Sequence, residues 1–440
     1  MKKFLFALSA VTMAVNVNAA QLEHTNSMDV PSPTSLPVGF EAVFQKSMDD
    51  PNVLFYYGAK AFENGQHDEA LKWMLEASRY SFAPAVENVK HMVHHGLGSK
   101  ANREGVVDFL TYFAQPRGAE SADVFAQIYL ADYYRGDSCV WLSPEEKATC
   151  VVEGSAEPLS ATDLEKAYFY FEGAAQQGDQ RSQYVTGMMN ILGVGVPRNV
   201  PLGISYLKEI ADNGQPNVAY IIGKIYQDGY WMVSDRERAN TWFQKAISYS
   251  QHPKSTLETA KNFEAGVVGE TESGRISSAV ALYKNVLDSI SATVEDKSEA
   301  AYRLGLIYTH YSQYRDQVKA IHYIERAVEL SHTSSNEFGV KALVWLGDKE
   351  ASSDLTLAVN HYLEAEKQLL SLPLNIQQRH AVVWQKLANA HASGQKDNME
   401  KSTRDFAFYM NKYHRTMAKT HIPAKERASY EGFSAFTFPG

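Results

Sequence analysis

YVTGMMNILGVGVPRNVPLGISYLKEIADNG at residues 184–214 and AYIIGKIYQDGYWMVSDRERANTWFQKAIS at residues 219–248 are two versions of one pattern. Tyr184-x-x-Gly187 returns as Tyr220-x-x-Gly223, Gly178 as Gly214 and Ala175 as Ala211, each at an offset of 36. In each version a first apolar segment runs into a glycine-containing turn and a second amphipathic segment follows. Apolar residues three and four apart place one stripe on each helix. Neither helix of such a pair buries its stripe alone, so a period of this size predicts stacked helix pairs. Gly187, Gly223 and Gly305 fall inside the predicted helices, where glycine costs about 1 kcal/mol relative to alanine. That cost is expected only where two helices cross too closely for a side chain. Gly178 and Gly214 follow alanine-rich helix ends and read as left-handed helix stops.

Weaker copies flank the clear ones. Residues 54–80 place Gly58, Gly65, Ala70 and Ala77 at the same landmarks, and residues 85–118 put a turn at His91 to Gly98. A further copy begins at residues 121–136 and finishes at residues 163–179, interrupted by an insertion at about 136–160. Residues 301–331 repeat the theme with Gly305, Ala320 and Ala327, and residues 341–370 do so again. The chain is therefore expected to be all-α, an α-solenoid of about eight helix-turn-helix repeats between Pro51 and Leu370. The glycine-rich stretch Gly266 to Gly274 interrupts the period, either as the turn of a degenerate repeat, the favoured reading, or as a hinge. The expected organisation is a solenoid over 51–265, its continuation over 266–372, and a C-terminal region over 373–440. That region carries helices around Gln378 to Ala392 and Met399 to Met417. Its tail contains Tyr430, Phe433, Phe436 and Phe438 and is expected to cap the last helices or to be offered to a partner.

Residues 1–19 have the three parts of an export signal: Lys2 and Lys3, the apolar run Phe4 to Val15, and small residues Val17 and Ala19 before the expected cut. The apolar run is too short for a permanent span, and no cysteine stands at the cut to carry a lipid. The periplasm is the expected compartment, with residues 20–50 a flexible, proline-containing leader and no transmembrane anchor in the mature chain. The chain carries 42 basic and 51 acidic side chains, a formal charge of -9. That sign disfavours nucleic acid and anionic membrane as partners. The two cysteines, Cys139 and Cys150, lie in the insertion and are expected to form one disulfide in an oxidising compartment. A loop of that size contributes about 3 kcal/mol on a chain-entropy basis.

The sequence resembles the Sel1-like repeat family, a branch of the tetratricopeptide repeat superfamily. The resemblance is carried by Gly187, Gly193, Gly195, Tyr206, Ala211 and Gly214 in one repeat. In the next it is carried by Gly223, Gly229, Ala239, Trp242, Phe243 and Ala246. It implies a right-handed superhelix with a concave groove that assembles protein complexes, and it leaves the partner open.

Motifs that carry chemistry are missing from the sequence. There is no HExxH, phosphate loop, dinucleotide fingerprint or GxSxG elbow, and neither a catalytic role nor a cofactor is expected. Glu87, His91 and His95 step by four and would share one helix face with His94 beside them. Such a face suits zinc, against the simpler reading of surface and turn residues. Aromatic residues outside the apolar stripes are the better lead, since Tyr and Trp dominate binding hot spots. Tyr230 and Trp231 lie in an inter-helix turn, while Tyr133, Tyr134 and Trp141 border the insertion; all five are candidate partner contacts. Trp73, Trp242, Trp345 and Trp384 fall on stripes and are expected to be core. The leading expectation is an envelope scaffold holding one or more proteins. A polysaccharide- or peptidoglycan-binding repeat protein is the alternative, and a cell-wall hydrolase a third.

Overall fold

The computed structural model describes residues 50–117, 121–136, 142, 161–269, 271–394 and 399–418. These divide into two compact units, one ending at Ile210 and the other beginning at Ala211. Both are helical; apart from an isolated bridge position at Arg117, no extended structure is present among the described residues.

The first unit pairs α1 (Pro51–Glu63) with α2 (His67–Ser78), α3 (Ala83–His94) with α4 (Arg103–Phe113), and α5 (Val124–Tyr134) with α6 (Ala161–Gln176). It ends with α7 (Gln180–Leu192) and most of α8 (Val200–Asp212). The second unit pairs α9 (Pro216–Asp228) with α10 (Arg236–Ser250), α11 (Pro253–Glu264) with α12 (Glu272–Asp288), α13 (Val294–His310) with α14 (Gln317–Thr333), and α15 (Glu337–Glu350) with α16 (Leu355–Ser371). A short α17 (Leu374–Arg379) then leads to a ninth pair, α18 (Val382–Gly394) and α19 (Met399–Ala418). The described chain is thus a helix-turn-helix repeat solenoid with eight pairs between Pro51 and Ser371. Of the GVVGETESG stretch, residues 266–269 lie between α11 and α12, with Gly266 and Gly269 left-handed, and Glu272 to Gly274 already belong to the first turn of α12.

Local chemistry explains where the helices begin. Asp50, Asp123, Asp179, Asp235 and Asp354 each stand just before a helix and accept a hydrogen bond from a backbone N–H of its first turn. Thr293 and Asp296 form a reciprocal capping box at α13. Helix ends follow the glycines: Gly178 and Gly214 adopt φ of 91° and 90°, and Gly193 and Gly229 end α7 and α9 in the left-handed region.

The core is a series of local clusters and not one centre, as stacking of pairs requires. One cluster joins α11 to α14 around Tyr283 and Leu304. The next spans α13 to α15 around Ile324 and Leu346, and the last runs from α15 to α18 around Tyr362 and the fully buried Trp384. Trp384 is therefore core as expected, whereas Trp73, Trp242 and Trp345 are only half-buried. Their stripes lie at the edge of the packed face.

Candidate interaction surface

The sequence between Pro253 and Glu264 has almost no apolar stripe, and its buried positions are mainly polar. Ser255, Thr256, Glu258, Thr259 and Asn262 are all buried on α11, beside only Leu257 and Ala260. Buried polar groups need partners: Ser255 and Thr256 find theirs at His252, Asn262 at Asn240 of α10, and Glu258 on the flanking first helix α9, while the Thr259 hydroxyl has none among the described residues. Glu258 accepts from the Gln227 amide at 2.9 Å and pairs with Lys261 at 2.7 Å and Lys224 at 4.0 Å. Lys224 also reaches Asp228 on its own helix at 3.0 Å. Lys261 continues to Glu299 on α13 at 3.3 Å, and Arg303 bridges Glu299 and Glu264, each at 3.5 Å. Tyr283 donates its hydroxyl to Glu264 at 2.6 Å. The result is a charge ladder crossing three successive first helices.

Its electrostatics are those of a closed network. Burial on its own raises the pKa of Glu258, but attraction to Lys261 and Lys224 and their hydrogen bonds outweigh it and hold the carboxyl at about 2. Lys261 is raised above the usual lysine range because Glu258 and Glu299 overcome its burial. Burial raises Asp228 despite Lys224 beside it. Each of the three cations already faces at least one carboxylate. The ladder therefore presents little net charge, and a strongly charged partner gains little from it.

His252 precedes α11 and holds the ladder's central helix in place. Its Nδ1 accepts from the Ser255 backbone N–H at 3.2 Å, and its Nε2 lies 2.9 Å from Asn217 Oδ1 on α9. Those partners require the neutral ring with the proton on Nε2. Burial, helped by nearby Lys254, lowers the pKa to about 4. A histidine whose folded pKa lies below its unfolded value stabilises fully above about 6.5, and that stability is lost as pH falls toward about 4. Protection factors of α11 amides, their exchange rates referred to those of the unfolded chain at the same pH, are therefore expected to fall between pH 7 and pH 5. His252→Asn, which preserves a capping oxygen, should flatten that dependence. An unchanged slope in the variant would assign it elsewhere.

The residues singled out in the sequence do not converge on one site. Tyr230 and Trp231 are half-buried in the α9–α10 turn, with ring centroids 6.0 Å apart in an edge-on contact. The turn continues into Met232 and Val233, the latter 89% exposed, above an open hollow of about 790 Å³ that Asp235, Arg238 and Val267 also line. In the first unit, Tyr134 stacks on Tyr170 of α6 at 6.0 Å with Lys166 over its ring, and Arg103 lies over Tyr133. Those two tyrosines thus take part in pairing α5 with its neighbours. Trp141, Cys139, Cys150, the export signal, the leader and the aromatic tail lie outside the described residues.

The histidine rings lie against one another in tilted and edge-on contacts. The His91 and His95 rings are 4.4 Å apart, His94 meets the Tyr129 hydroxyl at 3.3 Å, and Glu87 pairs with Lys90 at 3.4 Å. Lys90 in turn reaches Asp123 at 2.6 Å. Among the described residues, no group of three or more His, Cys, Asp or Glu is placed to hold a metal ion, and no helix is long and apolar enough to cross a membrane.

The ladder escaped the sequence reading. Its only trace there is charge spacing: Lys224-x-x-x-Asp228, Glu258-x-x-Lys261 and Glu299-x-x-x-Arg303. Such pairs usually mark a solvated helix face, and nothing in sequence says that neighbouring helices cover them.

The chain matches the Sel1 repeat over residues 53–79, 153–179, 180–215, 216–248 and 298–332. Among solved structures it is similar to a protective antigen of uropathogenic Escherichia coli strains that displays an SLR fold. That likeness has 16% identity and a TM-score of 0.39, and covers 88% of this chain and 84% of that one. It is also similar to a Sel1 repeat protein from Oxalobacter formigenes, at 19% identity and a TM-score of 0.40, covering 57% of this chain and 92% of that one. Two of the matched segments, 180–215 and 216–248, coincide with α7–α8 and α9–α10, where the 36-residue offset is clearest. Segments of the chain thus match the Sel1 repeat over less than half of its length, on a fold of stacked helix pairs.

Proposed function

We propose that this chain is an exported scaffold that binds one or more envelope proteins through the surface of its repeats. The observation that carries the reading is the organisation of the repeat array. Successive first helices pair their polar groups with one another in a largely buried ladder, while aromatic and aliphatic residues gather in an inter-helix turn. Polar groups already paired within the chain offer a partner little, and a few apolar anchors supply most of the binding energy. Tyr230, Trp231 and Val233 are the anchors this reading selects. The protein carrying its natural export signal, purified from its native envelope after mild cross-linking, is expected to retain a stoichiometric protein. Tyr230→Ala combined with Trp231→Ala should weaken that retention at least about tenfold, the effect of losing one hot spot. Retention unchanged in the double variant would remove the turn from the interface. Glycan alone in the retained material would favour the polysaccharide-binding reading instead.

A further inference from the structure

The turns inside the pairs α9–α10, α11–α12 and α13–α14 lie side by side along one edge of the second unit. The first two enclose the open hollow that Val233 and Val267 line. Gln313 in the third donates to the Ser273 carbonyl at the start of α12 at 3.4 Å. Each turn carries an arginine at the N-terminal end of the second helix. Arg236 is the first residue of α10, Arg275 lies in the first turn of α12, and Arg315 stands two residues before α14. A cation there faces the unfavourable end of the helix dipole. The acids of the same edge are already engaged. Asp235 and Asp316 cap α10 and α14 and pair with Arg238 and Lys319. Glu237 and Glu272 sit in the first turns of α10 and α12, where the helix end attracts their charge. None of the three guanidiniums is ion-paired among the described residues. Arg275 is also held in place: its stem lies across residues 266–269, where a methyl at Gly269 would stand 2.6 Å from its Cγ and one at Gly266 would collide with its guanidinium. Aliphatic side chains accompany these cations. Val233 and Val318 are almost fully exposed, and Val267 is half-buried.

We propose that this edge binds an extended acidic segment of a protein partner, with one carboxylate on each of Arg236, Arg275 and Arg315 and aliphatic side chains between them. The inference rests on the scaffold reading above and names the chemistry of the segment that is held. Charge complementarity selects the occupant, because a carboxylate relieves a cation that the helix end disfavours and pairs with the planar guanidinium through two hydrogen bonds. Spacing selects its conformation. Packed helices stand about 8–10 Å apart, so successive turns repeat at about that distance. A polyproline-II strand returns every third side chain to the same side after about 9 Å. It therefore offers one acid to each repeat.

Fluorescence anisotropy of the full chain with a labelled peptide of four Asp-Val-Pro triplets tests the proposal. Binding is expected to weaken at least about tenfold when Asn replaces every Asp of the peptide. A similar loss is expected when Arg236→Gln, Arg275→Gln and Arg315→Gln are combined, the joint effect of three exposed charge pairs. The urea midpoint of that variant should stay level or rise, because cations leave helix N-terminal ends, so lost binding is not lost folding. A peptide that does not bind, or whose binding survives either change, would overturn the inference. Polygalacturonate bound in its place would assign the edge to an anionic polysaccharide. The envelope protein decides between this inference and the reading beneath it. Its loss in the Tyr230 and Trp231 double variant but not in the arginine variant would overturn the acidic segment alone; retention in both would overturn the two together.

Discussion

Lys261→Ala is expected to destabilise the second unit by about 3 kcal/mol at pH 7, the cost of leaving buried carboxylates without their cation. The side chain is 23% exposed, which keeps the figure at the low end for a buried pair. Its ammonium is shared by Glu258 at 2.7 Å and Glu299 at 3.3 Å. Removal leaves Glu258 of α11 and Glu299 of α13 without their shared cation, with Lys224 4.0 Å from the first and Arg303 3.5 Å from the second as remaining counter-charges. The pH dependence identifies the cause. In the native protein Glu258 has a folded pKa of about 2, below its unfolded value near 4.3. It contributes stability above that unfolded value and loses the contribution as pH falls toward about 2. In the variant the repelling carboxylates take up protons more readily, so the gap between native and variant should close as pH falls from 7 to 4. Denaturant titrations at pH 7, 5.5 and 4 measure this. A gap constant with pH would mean that lost packing of the lysine stem, not unpaired charge, sets the cost. Lys261→Met with Glu258→Gln should recover much of the loss, since replacing both partners is cheaper than orphaning one.

The repeat and the ladder differ in legibility for a physical reason. Apolar residues at helical spacing report a buried face directly, so α7–α10 were readable to within a residue or two from Tyr184, Gly187 and their copies. Left-handed glycines report turns equally well, because at Gly178 or Gly214 any other residue would be strained. α11 shows the limit. Its buried side is Ser255, Glu258, Thr259 and Asn262, residues that sequence periodicity counts as solvent-facing. Only the approach of Gln227 and Lys224 from α9 and of Glu299 from α13 turns that polar side inward. Such long-range pairing leaves no local signature, and a degenerate repeat with a glycine-rich turn was the most that could be read there. Aromatic residues were ambiguous in the same way. Tyr133 and Tyr134 next to an insertion read as candidate anchors, and sequence alone does not reveal that Tyr170 and Arg103 also lie against their rings.

Gly187→Ala is expected to cost about 2 kcal/mol, in the range of an overpacked core, although alanine improves helix propensity by about 1 kcal/mol. A methyl group at Gly187 would lie 2.9 Å from the Gly203 carbonyl oxygen and 3.2 Å from the Leu207 side chain. The converse holds from the other helix, where a methyl at Gly203 would lie 2.5 Å from the Gly187 carbonyl oxygen and 3.1 Å from the Ile191 nitrogen. Two backbones meet, and neither has a rotamer with which to yield. The equivalent position in the first pair, Gly58, provides the control. There the nearest atom is the flexible Met74 Cε at 2.9 Å, and Met fills irregular space at little cost. Gly58→Ala should therefore fall within about 1 kcal/mol of the native protein, its clash offset by the gain in helix propensity. The two substitutions are chemically identical and occupy the same place in the repeat, so their difference isolates what each glycine faces across the crossing. Urea unfolding of the full chain with both variants measured side by side decides the matter. Equal tolerance at the two sites would mean that α7 and α8 separate easily, and that the 36-residue glycine marks a helix-forming preference instead of a close crossing.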